Sequence, residues 1–262
     1  MTAVHAPDLV SEDLVALSHA LGEPGRDLVI LAEGNTSRTL PDGRVVVKAS
    51  GSNLASVTAE DFVVVDTGPL IELAKDPAST QTALTEALDA GEVGGKRRRG
   101  SIEALVHVVM HALKPEGSPE LYVGHTHPTD VVGLLASVHA ATAWEDWVYS
   151  DEAVVIGRPL YVPYASPGID LGRLYYEAVA QRVAETGELP QLVLLGNHGI
   201  VATAPTAGGV EGISAMAVKG ARVRASAYAV GGVAPLSRAS VEKFFARDDI
   251  AERRGNLAES RF

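Results

Sequence analysis

The chain has 262 residues, 46% hydrophobic and 21% charged, enough to bury a large apolar core in one α/β domain. Its net charge of −11 works against binding a nucleic-acid backbone, which calls for a basic surface, and its lack of cysteine rules out disulfides and thiolate metal sites. No apolar run approaches the roughly 18 residues of a membrane span, and Met1 to Pro7 lead into an acidic amphipathic stretch instead of a signal region, so the expected setting is cytoplasmic, with no membrane partner.

In chain order, Leu9, Val10, Leu14, Leu17 and Leu21 fall near helical spacing around Ser11-Glu12-Asp13, which predicts a helix from Asp8 to about Leu21. Leu28 to Leu31, Arg44 to Lys48 and Phe62 to Val65 are short runs separated by Gly, Asn, Pro and Asp and read as strands, with Pro41-Asp42-Gly43 as a hairpin turn. Glu33-Gly34-Asn35-Thr36-Ser37-Arg38 and Lys48-Ala49-Ser50-Gly51-Ser52 read as glycine-rich turns that can cradle an anion with backbone N–H groups and hydroxyls, though either alone is more often a plain turn. Thr80 to Ala90 and Ile102 to Leu113 have helical periodicity. Between them, Lys96-Arg97-Arg98-Arg99 reads as a solvated loop, the alternative being a basic flank to an anionic substrate.

Further on, Leu121 to Val123 reads as a strand and Val131 to Val138 as a helix, then Val154 to Ile156 and Leu160 to Val162 as strands and Leu171 to Thr186 as an amphipathic helix. Leu192 to Leu195 and Ile200 to Ala202 are two more predicted strands, followed by an alanine-rich helix from Val210 to Val230. Helices do not alternate strictly with single strands, and several strand pairs lie too close for crossover connections. The expectation is one domain over 1–262, an α/β/α sandwich with a central mixed, largely antiparallel sheet covered by helices, and with 236–262 as a closing helix or tail.

Chemistry concentrates at two strand ends. Gly124-His125-Thr126-His127-Pro128 follows a short strand, and residues two apart in an extended chain share a face, so both imidazoles can reach one ion. Gly196-Asn197-His198-Gly199 ends another strand with a third histidine. Three imidazoles with an open fourth position make a catalytic type of zinc site, although imidazole also suits other transition metals. Glu103 opens a predicted helix, where the macrodipole alone favours a carboxylate. His107, one turn on and facing the same way, reads as an orienting or core residue, whereas His5, His19, His111 and His139 carry no case for function.

Taken in order, Gly34-Asn35-Thr36-Ser37, Lys48-Ala49-Ser50-Gly51, Ser101-Ile102-Glu103, His125-Thr126-His127-Pro128, Pro163-Tyr164-Ala165-Ser166-Pro167-Gly168 and Asn197-His198-Gly199 resemble the class II aldolase/adducin superfamily, including fuculose-phosphate aldolases. The wording of these motifs is most similar to the aldolase part of rhamnulose-phosphate aldolase/dehydrogenase fusions; this chain would be a stand-alone aldolase module. The resemblance implies His125, His127 and His198 as ligands of Zn2+, or of Mn2+ or Co2+, and Glu103 as the catalytic acid/base. It implies Tyr164 as a residue that reaches a neighbouring subunit's site in a homotetramer. Gly34, Asn35, Ser50, Gly51 and Ser101 match the phosphate pocket. Ile102 stands where fuculose-type enzymes carry a second serine, a gap that Lys48 or the run Lys96 to Arg99 would have to fill.

The implied reaction is retro-aldol cleavage of a ketose 1-phosphate of the rhamnulose or fuculose type to dihydroxyacetone phosphate and an aldehyde, through a metal-stabilised enediolate. Alternatives in the same superfamily are a pyruvate-type aldolase acting on a hydroxy-keto acid, a sugar-acid-phosphate decarboxylase, a pentulose-phosphate epimerase and a dehydratase. A non-catalytic adducin-like binding module is the reading from another class, and retention of all three histidines with Glu103 argues against it.

Overall fold

The computed structural model describes residues 2–118, 120–250 and 252. Its strands are β1 (Ala3–Val4), β2 (Asn35–Thr39), β3 (Val45–Lys48), β4 (Phe62–Val65), β5 (Asp89–Val93), β6 (Lys96–Arg99), β7 (Tyr122–Thr126), β8 (Leu160–Val162), β9 (Leu192–Leu195) and β10 (Gly199–Ala204). The helices are α1 (Glu12–Leu21), α2 (Thr67–Lys75), α3 (Gln81–Ala87), α4 (Ala104–Ala112), α5 (Thr129–Leu135), α6 (Ser150–Ile156), α7 (Ile169–Thr186), α8 (Ala207–Ala229) and α9 (Arg238–Phe245).

Eight strands form one sheet in the order β1-β4-β3-β2-β7-β10-β9-β8. Every neighbouring pair is antiparallel except β8 with β9. Apart from the polar β2, its central strands are largely apolar on both sides, and period-two alternation divides their side chains between two cores. Val45, Val47, Val63, Val65, Val193, Leu195 and Val201 pack beneath α2, α3, α4 and α7. Val46, Phe62, Val64, Leu192, Leu194, Ile200 and Ala202 pack beneath α1, α5 and α8. The result is the expected single-domain α/β/α sandwich. Among the described residues no helix is long and apolar enough to cross a membrane.

Close approach has a visible price in side-chain volume at two positions: a Cβ on Gly124 in β7 would lie 2.7 Å from a Val210 methyl of α8, and one on Gly172 in α7 would lie 2.2 Å from Leu105 of α4. Glycine at these points lets helices settle directly onto the sheet and onto one another.

Several local expectations need correction. Leu28 to Leu31 is not a strand; it is a loop with Asp27 and Leu31 at positive φ, and its Leu28 carbonyl accepts from His127 N at 2.8 Å. The strand in this region is β2, formed by residues read as a turn; its polar side chains have partners across the sheet–helix boundary, described below. The run Lys96 to Arg99 is β6, not a loop: Gly94 and Gly95, both at positive φ, turn it back on β5, while Lys96 and Arg98 meet Asp61 and Arg97 meets Asp89. Val154 to Ile156 belongs to helix α6, whose first turn carries Asp151 and Glu152. Helix α2 and strand β1 have no counterpart among the sequence expectations, and the helix expected from Thr80 to Ala90 ends at Ala87, with Asp89 and Ala90 in strand β5. Within 236–262, α9 occupies Arg238–Phe245, and residues 251 and 253–262 lie outside the described residues.

Candidate metal centre

The central strands β2, β7 and β10 end side by side, and that edge carries the chemistry. His125 of β7 lies opposite both Asn35 of β2 and Val201 of β10. His127 follows the end of β7, and His198 immediately precedes β10. The turn between β9 and β10 is made by Asn197 at φ 52°, not by its flanking glycines. Gly199 serves close approach instead, since a Cβ there would fall 2.4 Å from the Thr126 carbonyl and 2.7 Å from the His127 ring. Glu103 caps the N-terminus of α4 and enters from the layer above.

Three imidazole rings meet with centroid separations of 4.7, 5.0 and 5.0 Å. His125 Nε2 lies 3.0 Å from His127 Nε2 and 3.3 Å from a Glu103 oxygen, and His198 Nε2 lies 2.7 Å from the other Glu103 oxygen. Donors about 2 Å from one tetrahedral ion lie roughly 3.3 Å apart, so these separations suit a shared cation. One further detail fits. His125 Nδ1–H donates to the Ile200 carbonyl at 2.8 Å, which leaves Nε2 as the lone-pair nitrogen turned into the cluster. Among the described residues, Glu103, His125, His127 and His198 form the group able to hold a metal ion, their donor atoms all within 4.8 Å of one another.

Electrostatics are set by burial and by the cluster itself. Burial alone would raise the Glu103 pKa, yet the charge and hydrogen bonds of His125 and His198 prevail and hold the carboxyl well below its usual range. Burial opposes protonation of His125, but Glu103 and the Ile200 carbonyl outweigh it and raise its pKa. Burial and the neighbouring His125 lower His127 to about 3. Lys48 is 1% exposed, and desolvation lowers its ammonium to about 8 against the pull of Glu103 and Asp61.

Residues 12–210 match the family described as Class II Aldolase and Adducin N-terminal domain. The chain belongs to this family. Its relatives include the uncharacterized oxidoreductase YuxG of Bacillus subtilis (strain 168), 28% identical over 72% of this chain; the match spans about a quarter of YuxG, 26% of its length. The 3-oxo-tetronate 4-phosphate decarboxylase of Haemophilus influenzae (strain ATCC 51907 / DSM 11121 / KW20 / Rd) is 24% identical over 75% of this chain and 78% of its own length. An L-fuculose 1-phosphate aldolase structure superposes with a TM-score of 0.61 at 20% identity, covering 94% of this chain and 97% of that one, which establishes a shared class II aldolase fold.

The residues matched to the phosphate pocket separate into two groups in this class II aldolase domain. Asn35 and Ser101 are buried beside the cluster: Asn35 Nδ2 donates to a Glu103 oxygen at 3.1 Å and to Ser101 Oγ at 3.0 Å, and Glu103 N donates to Ser101 Oγ at 3.3 Å. Ser50 and Gly51 lie at the surface, on a turn whose Lys48–Ala49–Ser50 backbone runs against Arg99–Gly100–Ser101. Gly34, at φ 70°, allows the chain to pass Val29 and the His125 carbonyl, and Lys48 Nζ donates to the Ala49 carbonyl. Ile102 is 46% exposed. Tyr164 is 59% exposed, on a segment packed against Gly196.

A cleft of about 420 Å³ opens beside His127 and His198, walled by Asp27, Ile30, Glu33 and Val132. Glu33 places an oxygen 3.7 Å from His127 Nδ1, a partner that the sequence concealed inside a turn motif. His111 had no apparent function in the sequence either, and the structure joins it through Ser37 to His107.

Proposed function

We propose that the protein is a zinc-dependent aldolase cleaving a ketose 1-phosphate of the rhamnulose or fuculose type to dihydroxyacetone phosphate and an aldehyde. The observation that carries this reading is the convergence of His125, His127, His198 and Glu103 within 4.8 Å at the edge of an open cleft. In this reading the three imidazoles hold the cation. When bound, a divalent ion supplies Lewis acidity toward a carbonyl and its neighbouring hydroxyl, worth several kcal/mol at the transition state in such sites.

The rest of the chemistry belongs to the chain. Scission leaves an electron pair on the three-carbon fragment; the proton released by the hydroxyl that becomes the aldehyde passes to the ionised Glu103, which then delivers a proton to that carbon, a contribution of about 10² to 10⁴ in rate. Its ionised resting state, supported by the lowered pKa, makes it a proton acceptor in the reverse direction. Tyr164, supplied by a neighbouring copy in a tetramer, serves the oxygen that becomes the aldehyde. Ser101 and the exposed turn at Ser50 and Gly51 receive the phosphate end, with Asn35 holding the Ser101 oxygen in place and Lys48 as the nearby cation. The cleft walled by Asp27 and Glu33 suits the hydroxylated, uncharged end, because two carboxylates there repel phosphate.

A decarboxylase acting on a sugar-acid phosphate is the second reading, favoured by the 24% identity to the 3-oxo-tetronate 4-phosphate decarboxylase. Incubation with a panel of ketose 1-phosphates and tetronate phosphates, with assay of both free aldehyde and carbon dioxide, separates the two. Cleavage is expected to disappear with a chelator, to return with Zn2+, and to fall at least about 10²-fold in Glu103→Gln with zinc still bound. Full activity in the metal-free protein or in zinc-loaded Glu103→Gln would overturn the mechanism.

A further inference from the structure

Strand β2 and helix α4 are joined by a buried row of polar side chains. Asn35, Ser37 and Thr39 alternate onto one face of the strand, and Glu103, His107 and His111 recur every four residues along the helix. Two strand residues advance about 6.6 Å and four helical residues about 6 Å, so the two rows stay in register. Thr39 Oγ1 lies 2.7 Å from His111 Nδ1, His111 Nε2 lies 2.7 Å from Ser37 Oγ, and Ser37 Oγ lies 2.7 Å from His107 Nδ1. His107 Nε2 bonds Asn35 Oδ1, and Asn35 Nδ2 reaches Glu103 at 3.1 Å. His107 is 0% exposed and His111 6%.

The direction of every proton in this row follows from its last member. An ionised carboxylate only accepts, so the Asn35 atom facing Glu103 is the amide nitrogen and the one facing His107 is the oxygen. His107 therefore carries its proton on Nε2. Buried and neutral, it has a bare Nδ1, which takes the single proton of Ser37. Ser37 must then accept from His111 Nε2–H, and the bare His111 Nδ1 accepts from Thr39. All five links point the same way, toward Glu103, and aligned bonds of this kind strengthen one another.

We infer that His107 and His111, with Ser37 between them, are positioning residues: they lock the Asn35 amide so that its N–H always faces Glu103 and keeps that carboxylate oriented on the metal cluster. The inference rests on the proposed role of Glu103 but concerns a hydrogen-bond polarity that can be measured without substrate. A freely turning Asn35 would offer its oxygen to the carboxylate in some molecules, and the repulsion would push Glu103 off its alignment.

Histidine 15N labelling reads the polarity directly, with His107→Gln and His111→Gln used to assign the two rings. Both rings are expected as the neutral Nε2–H tautomer in the metal-free and Zn2+-loaded wild type. A proton on Nδ1 of either ring would overturn the inference. Ser37→Ala then cuts the row at its middle without touching Glu103 or Asn35. Mixed tautomers at His107 and a Zn2+ affinity lower by about 10-fold are expected, the low end of the cost of losing a partner that orients a group at a metal, because Ser37 reaches Glu103 only through His107 and Asn35. His107→Leu should weaken zinc equally, whereas His107→Gln, which keeps a donor facing Asn35, should recover most of the affinity. Wild-type zinc affinity in Ser37→Ala, or equal weakening by Gln and Leu at position 107, would show a merely structural role. If the substrate panel yields no aldehyde, the proposed reaction fails while the tautomers and zinc affinities still decide this inference.

Discussion

His111 shows what a single buried base does to the stability of this protein. Burial, with a smaller push from Lys114, lowers its pKa from 6.5 to about 3, and burial likewise drives His107 well below its ordinary value. Below pH 6.5 the unfolded chain takes up these protons and the folded one does not. Stability from these neutral imidazoles is therefore complete above about pH 6.5 and is lost as the pH falls from there toward 3, by up to about 1.4 kcal/mol per pH unit for each proton. Urea titrations of the metal-free protein at a series of pH values should show this slope, and His111→Gln should flatten it by one proton's share; an unchanged slope would mean that His111 titrates normally in the fold. The three candidate ligands were legible from local motifs because each sits at or beside a strand end, whereas Glu103, at a helix start where a carboxylate is ordinary, stood out only through the family resemblance. His111 was not legible, because its meaning depends on Ser37 and Thr39, which sit in a segment whose Gly-Asn-Thr-Ser composition imitates a turn.

At the scale of elements, α6 and α8 are pinned by a buried ion pair. Arg224 of α8 is paired with Glu152 of α6, at 1% and 0% side-chain exposure. Arg224 also donates to the carbonyls of Ala143 at 2.5 Å, Asp146 at 3.0 Å and Gly220 at 3.2 Å, and its guanidinium stacks 4.8 Å from the Trp144 ring. Glu152 accepts in turn from Val148 N at 3.2 Å. Removing one partner strands a charge in the interior, so Glu152→Ala should cost about 3–5 kcal/mol in denaturant unfolding, while Glu152→Leu combined with Arg224→Met should cost less than the sum of the single changes. Additive losses would place the energy in the carbonyl contacts instead. The same region shows where sequence patterns fail. Val154-Val155-Ile156 looks like a strand because three apolar β-branched residues carry no period, whereas the helix they join is anchored by contacts distant in sequence, the pair from Glu152 to Arg224 among them. Helix α2 carries Gly68 and Pro69 in its first turn, a pair that masks a helix in the sequence, yet proline there removes an N–H that has no partner anyway.

At the scale of the whole molecule, Tyr164 tests whether the site is complete within one chain. Tyr164 is 59% exposed, and its backbone N lies against Gly196, two residues from His198. In the proposed ring of subunits, each site takes Glu103 from one copy and Tyr164 from the next. Glu103→Gln and Tyr164→Phe should each be poorly active alone. Mixed by unfolding and joint refolding, they should form sites in which a copy retaining Glu103 stands beside one retaining Tyr164; random assembly makes about a quarter of all sites of this kind, because two independent choices must both be right. Recovery to about a quarter of wild-type aldehyde release fits a shared site. A mixture no more active than the two variants measured apart would place the whole catalytic set, Tyr164 included, within a single chain.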